Sequence, residues 1–338
     1  MRTPEFWAAP AGLTAGLLSP FGVVWQAATR LRRAVVRPYQ ASVPVICIGN
    51  LVAGGSGKTP VVLSLVALAA AQGQSVHVVT RGYGGRLNGP ARVDPQRHDA
   101  ADVGDEALLI AARAPCWVAR DRAAGVHMAA NAGADAVILD DGFQNPGIEK
   151  DLSVLVVDAE YGFGNQRVLP AGPLREPVAA GLARADAVVL IGPGGVPVAV
   201  AKARLAVLRA ELRPVNAGDF AGVRVVAFAG IGRPGKFFAS LREAGAVVVA
   251  EREFPDHHRF ADREVADLRE QALAADAVLV TTAKDWARLP PAARAGIQVL
   301  EVEIAWQDVA AVAHLLTAAL PHVLDGHSRR NIAAAARG

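Results

Sequence analysis

Gly49-Asn-Leu-Val-Ala-Gly-Gly-Ser-Gly-Lys-Thr59 decides how the chain is read. The largely apolar run 43–48 before it reads as a buried strand. Pro60-Val-Val-Leu-Ser-Leu-Val-Ala-Leu-Ala-Ala70 after it reads as a helix with proline in its first turn. Strand, glycine loop, Gly-Lys-Thr and helix make up a phosphate-binding P-loop. The glycines let backbone N–H groups curl around phosphate oxygens, and the helix N-terminus adds partial positive charge. In that pattern Lys58 reaches the β/γ-phosphates and the Thr59 hydroxyl ligates Mg²⁺. Val52, Ala53, Gly54, Gly55, Ser56, Gly57, Lys58 and Thr59 are therefore the expected nucleotide cradle. Val52 departs from the pattern, which has a glycine there. A glycine-rich turn with a solvated lysine is the competing reading, but the flanking strand and helix suit the P-loop.

The rest of the chain is consistent with an intracellular α/β protein. Its 338 residues favour two domains. The hydrophobic fraction of 52% is inflated by alanine, so it does not by itself imply a large core. A net charge of only +3 gives no reason to expect a nucleic-acid partner. Cys47 and Cys116 lie in apolar, strand-like runs, which fits reduced core thiols and no disulfide framework.

Before the P-loop, residues 6–25 are mostly apolar but are interrupted by Pro10 and Pro20, so neither piece suits a membrane span. Beyond Pro20, Phe21, Val24, Trp25, Ala28, Leu31 and Val35 share one helical face, opposite Gln26, Arg30, Arg33 and Arg37. Such a helix suits a membrane interface, and equally a helix packed on the protein's own core.

After the P-loop helix, a strand over 75–80 ends in Thr80-Arg81-Gly-Tyr-Gly-Gly85. Residues 86–101 read as a loop. Asp102-Val-Gly-Asp105-Glu106 opens a helix through Ala112, where paired carboxylates also suit simple capping. Short strands follow at 115–119 and 134–139. The second ends in Asp140-Asp141-Gly-Phe-Gln144, the Walker-B arrangement that sets a carboxylate beside Mg²⁺. Strands at 152–157 and 187–191 enclose a Gly/Pro-rich loop running through Asn165, Arg175 and Glu176. A composition break near 213–222 precedes a second α/β unit. Its strands are expected at 223–229, 246–250, 277–281 and 298–304, and its helices at 236–243 and 262–274. Phe254-Pro-Asp-His257-His-Arg-Phe260 joins strand to helix, without metal-ligand spacing. The expected fold is a P-loop NTPase-like, mostly parallel sheet with helices on both faces, plus a smaller α/β domain. The expected divisions are a membrane-associating helical segment at 1–38, a kinase domain at 39–215, the smaller domain at 216–324 and a flexible basic tail at 325–338.

Together, Gly-Asn-Leu-x5-Gly-Lys-Thr-Pro, Thr-Arg-Gly-Tyr-Gly, Val-Gly-Asp-Glu, Asp-Asp-Gly-Phe-Gln, Gly-Pro-Leu-Arg-Glu and Phe-x-Asp-His-His resemble tetraacyldisaccharide 4′-kinase, the lipid A 4′-kinase of Gram-negative bacteria. These six motifs run in family order from Gly49 to about Phe260. Ala107 and Asn145 depart from the family's usual proline and histidine. The resemblance implies transfer of the ATP γ-phosphate to the 4′-hydroxyl of a tetraacyl glucosamine disaccharide 1-phosphate at the cytoplasmic face of the inner membrane. It implies ATP and Mg²⁺ as cofactors, the acylated lipid and the membrane surface as partners, and no obligate protein partner. Lys58 and the loop amides would hold the phosphates. Thr59 with Asp140 or Asp141, helped by Glu106, would hold Mg²⁺. Asp105 is implied as the base, oriented and tuned by His257. Arg81, Arg120, Gln144, Asn165, Arg175 and Glu176 would contact the sugar or its anionic head group.

Other classes suit these residues less well. A nucleotide switch would carry a base-reading Asn/Thr-Lys-x-Asp motif, and Thr282-Ala-Lys284-Asp285 has the wrong spacing. A partition-type assembly ATPase would place a lysine where Ala53 stands. A membrane-tethered scaffold without turnover would have no use for the paired carboxylates and His257. No Gly-x-Gly-x-x-Gly follows the first strand, which disfavours dinucleotide binding.

Overall fold

The computed structural model describes residues 4–320, so the tail expected over 325–338 lies outside the described residues. Among those described, thirteen strands form two sheets. In chain order they are β1 (Val45–Gly49), β2 (Val76–Thr80), β3 (Ala91–Arg92), β4 (Cys116–Val118), β5 (Ala136–Asp140), β6 (Leu152–Asp158), β7 (Ala187–Ile191) and β8 (Ala206–Pro214). Then come β9 (Arg224–Ala229), β10 (Val247–Glu253), β11 (Val278–Thr282), β12 (Ile297–Leu300) and β13 (Val302–Trp306). The helices begin with α1 (Leu13–Val35), α2 (Lys58–Ala71), α3 (Ala100–Val103), α4 (Asp105–Ala111) and α5 (Arg122–Asn131). They continue with α6 (Val178–Leu182), α7 (Val198–Ala203), α8 (Pro234–Glu243), α9 (Asp262–Ala274), α10 (Ala283–Arg288) and α11 (Val309–Ala319).

The large sheet runs β13-β8-β7-β6-β1-β5-β2-β4-β3 and the small one β10-β9-β11-β12. Pairing is parallel throughout except at the two edges of the large sheet, β13 on β8 and β3 on β4. Its central strands are buried on both faces, which is why they read as continuous apolar runs rather than alternating ones. Ile46 and Ile48 of β1 pack with Val61, Val62 and Leu65 of α2 on one side. Val45 and Cys47 pack toward Val126, Leu182 and Val200 on the other. In the small sheet, Phe237, Phe238 and Leu241 of α8 cover one face, and Val265 and Leu268 of α9 cover the other.

The expected architecture of a parallel P-loop sheet with a smaller α/β unit is present, and the structure differs from the local readings in five places. The loop expected over 86–101 contains β3 and the start of α3, whose N-cap Asp99 forms a capping box with Asp102. Strand β8 carries no clear sequence signal, because its half-exposed pattern is diluted by alanine and arginine. The single strand expected over 298–304 splits at Glu301: β12 stays in the small sheet and β13 crosses to the large one. Helix α11 follows β13 and buries Val312 and Leu316, with Leu320 just beyond it, in the large domain's core. Three such side chains contribute roughly 1.5–3 kcal/mol each, so the segment expected as one unit over 216–324 gives its end to the P-loop domain. Finally, α1 passes through Pro20 instead of starting after it.

Helix α1 is docked by its small and polar side. Ala15 and Gly22 are its buried residues, Trp25 Nε1 donates to Arg175 O at 3.0 Å, and Arg33 pairs with the buried Glu176 at 2.9 Å. The apolar face points away from the protein: Leu13, Leu17, Phe21, Val24, Leu31 and Val35 are all exposed, Leu13 at 90%. The face read as apolar is therefore not core. No helix among the described residues is long and apolar enough to cross a membrane.

Candidate active site

The carboxyl ends of both parallel sheets open onto one cavity of about 1230 Å³. Such ends are where open α/β sheets bind ligands. Gly57, in the left-handed region at φ +80°, turns the loop into α2 so that Lys58 and Thr59 occupy its first turn. Ala53 to Thr59 all line the cavity, whereas Val52 is tucked against Leu174 and serves the loop's support. Asn50 shapes the loop from below: its Nδ2 donates to Val52 O at 2.7 Å and Ser56 Oγ at 2.9 Å. Its place in the Gly-Asn-Leu motif was the only sequence sign of that role.

Register explains the carboxylates. Strand β5 lies beside β1 with Ile48 opposite Asp140, so the end of β5 sits beside the start of the P-loop. Asp140 is 1% exposed, and neither carboxylate oxygen has a hydrogen-bond partner. Burial pushes its carboxyl up to about 7, reinforced by the Glu106 charge and opposed by Lys58. Asp141 next door is held differently. It adopts φ +54°, and its Oδ1 takes Arg175 Nη1 at 2.8 Å and Lys58 Nζ at 3.7 Å. Burial opposes its charge, but Lys58 and Arg175 outweigh that and lower its carboxyl to about 2. Arg122, itself buried, donates to the backbone oxygens of both aspartates. Glu106 Oε1 lies 3.4 Å from Thr59 Oγ1 and also accepts Lys284 Nζ.

Mg²⁺ keeps waters and phosphate oxygens and needs only one or two carboxylates. The donor set fits it: two orphaned oxygens on Asp140, the Thr59 hydroxyl and Glu106. No cluster of three or more His, Cys, Asp or Glu side chains forms a metal cage among the described residues.

Asp105 and His257, far apart in sequence, meet across the domain boundary. Gly104, at φ +86°, caps α4 so that Asp105 is its first residue. His257 Nδ1 lies 3.6 Å from Asp105 Oδ2, and the imidazole rests on the Tyr83 ring at 4.8 Å between centroids. His257 lines the cavity, while Asp105, 3% exposed, lies behind it. Arg288 Nε donates to the same Asp105 oxygen at 2.8 Å, and its Nη1 donates to Gly230 O and Asp285. Burial opposes charge on Asp105, but His257, Arg288 and Lys284 overcome it and hold the carboxyl far below its usual range. The Asp105 carboxylate in turn raises His257 above its ordinary value, against burial.

The expected sugar contacts divide. Arg81, Arg120, Gln144 and Arg175 line the cavity. Asn165 and Glu176 do not. The Asn165 amide is spent on Phe6 O and Ala171 O. Glu176, 1% exposed, is spent on Arg33, Arg184 and Gln144. Both side chains fasten the 162–177 loop to its surroundings. Lys284, Arg288 and the Asp158 pairs with Arg233 and Lys236 join the site in the structure without being among the residues expected from sequence. The available signal was the end of β11, where Thr282-Ala-Lys284-Asp285 leaves a second parallel sheet.

A model of the family described as tetraacyldisaccharide-1-P 4′-kinase matches residues 14–321. The chain belongs to that family. A tetraacyldisaccharide 4′-kinase of Rhodospirillum centenum is 57% identical over 315 residues, 91% of this chain and 94% of the relative. One from Dinoroseobacter shibae is 50% identical over 98% of this chain and all of its own. The crystal structure of LpxK from Aquifex aeolicus in complex with ATP superposes with a TM-score of 0.73 at 25% identity, covering 91% of this chain and 100% of that one. The two-sheet arrangement of this 4′-kinase family member is thus the arrangement of a solved family structure.

Proposed function

We propose that this chain carries out the reaction of its family: it transfers the γ-phosphoryl group of ATP to the 4′-hydroxyl of a tetraacyl glucosamine disaccharide 1-phosphate. One observation carries the reading. The P-loop Lys58 and Thr59 share a cavity with the Glu106 and Asp141 carboxylates and with His257, which fronts Asp105. Phosphoryl transfer is mostly positioning and charge neutralisation. The loop amides and Lys58 hold the phosphates. Asp140, Thr59 and Glu106 would hold Mg²⁺, which supplies charge neutralisation at the transferring group. Asp141 is instead committed to Arg175 and Lys58, and it steers both cations. The Asp105–His257 pair takes the proton of the sugar hydroxyl, with His257 toward the cavity and Asp105 fixing its ring. Arg81, Arg120, Gln144 and Arg175 offer donors to the anionic head group.

The exposed stripe on α1 supports attachment at the cytoplasmic face of the inner membrane, where an acylated substrate resides. The deciding experiment incubates purified protein with γ-labelled ATP and the disaccharide lipid. Label on the 4′-position is expected. Lipid-independent ATP hydrolysis with no labelled lipid would instead favour an assembly ATPase.

A further inference from the structure

Lys284 has no part in the scheme above, yet it stands inside the cavity opposite the P-loop. It comes from the small domain, as the second residue of α10 just past β11. Its Nζ rests on Glu106 Oε1, the same oxygen that Thr59 Oγ1 approaches at 3.4 Å. The ammonium group is therefore one shared oxygen away from the threonine of the P-loop. Lys58 is parked in a similar way, on Asp141 at 3.7 Å. Two lysines from two domains thus neutralise two carboxylates at the place where a triphosphate would end.

A parked lysine and a permanent bridge differ in what holds them. Arg288 is a bridge: its side chain is 5% exposed, its Nε donates to Asp105 and its Nη1 to Gly230 O and Asp285. Lys284 is 28% exposed, on a flexible four-carbon stem, with Glu106 as its one ion-pair partner among the described residues. If Glu106 turns toward the metal side, the ammonium loses that partner and needs other oxygens. With a triphosphate bound beside the P-loop, its terminal oxygens would be within the same cavity.

We propose that Lys284 is a catalytic residue supplied by the small domain, exchanging Glu106 for the γ-phosphoryl oxygens of the bound triphosphate. This rests on the kinase reading above. It also ties the approach of the small domain to charge neutralisation at the transferring group, since the lysine arrives with that domain.

The test is nucleotide binding, measured by calorimetry with Mg²⁺ for ADP and for a non-hydrolysable methylene analogue of ATP. Lys284→Met should lose about ten- to a hundredfold in affinity for the triphosphate analogue, the worth of a charge-assisted contact, with ADP binding nearly unchanged. Retained ADP binding also reports an intact fold. Lys284→Arg should keep most of the triphosphate preference. In turnover, Lys284→Met should lower kcat by roughly a hundredfold or more. Equal losses for ADP and the analogue, or no loss for the analogue, would overturn the proposal and leave Lys284 an anchor for Glu106. Wild-type protein that binds neither nucleotide would overturn the kinase reading itself.

Discussion

The two sheets turn their carboxyl ends to one cavity but bring opposite charge to the seam between them. The large domain offers Asp105, Glu106 and Asp158. The small domain answers with His257, Arg288, Lys284, Arg233 and Lys236. The large domain's site is built on the carboxyl ends of adjacent central strands, where strand register brings Asp140 beside the P-loop. The small domain's share exists only when the domains meet. One half of the site is therefore preformed by backbone pairing, and the other depends on cross-domain ion pairs.

The comparison is broken most severely from the preformed side. Lys58→Ala should reduce kcat by about a thousandfold or more, because phosphate clamping carries much of the catalysis, while circular dichroism still reports a folded protein. Activity within a few-fold of wild type would remove the P-loop from the mechanism.

Breaking the assembled side should cost less and should show coupling. Asp105→Ala and His257→Ala are each expected to lower kcat by roughly a hundredfold, the usual scale of base catalysis, with little change in KM for ATP. On the proposed joint role, the double variant should be scarcely worse than the poorer single one. Multiplicative losses in steady-state kinetics would separate them.

The neighbouring aspartates sharpen the contrast through stability. Asp140 has a folded pKa raised to about 7 from 3.8, so its charge costs the fold as pH rises through that window. Asp140→Asn should stabilise the nucleotide-free protein at pH above 7, by roughly a few kcal/mol and several degrees in melting temperature, while losing activity. Asp141 is lowered to about 2 from 3.8, so the stability it contributes is full above 3.8 and lost as pH falls toward 2. Asp141→Asn should therefore destabilise at neutral pH and converge with wild type near pH 2. Thermal melts of both variants across pH would show whether the two effects have opposite sign.

The smallest effect is expected at α1. Arg30 and Arg37 are exposed, so changing both to glutamate should weaken binding to anionic vesicles by about 1 kcal/mol per charge. Arg33→Glu would instead disrupt the Glu176 pair and the docking of the helix. Leu17→Asp with Phe21→Asp should release the protein more completely than the arginine changes. Unchanged flotation for all of these variants would leave the apolar stripe without a membrane role.

By itself the sequence determined the P-loop, the order of the central strands' motifs and the carboxylates that end them. These signals are local: a glycine loop between strand and helix, or an aspartate closing an apolar run, carries its chemistry within ten residues. The sequence also marked Asp105 and His257 through the family resemblance, though nothing in their spacing joins them. Tertiary structure alone decided the rest. It sent β13 and α11 back to the large sheet, because burying Val312, Leu316 and Leu320 in that core outweighs the shorter path of staying with the small one. It turned the apolar face of α1 outward by seating Gly22 and Arg33 on the loop at 168–176. It committed Asn165 and Glu176 to fastening that loop, and it brought Lys284 and Arg288 to carboxylates nearly two hundred residues earlier in the chain. An ion pair across a domain boundary leaves no periodicity in the sequence, because its partners are chosen by how the two sheets face each other.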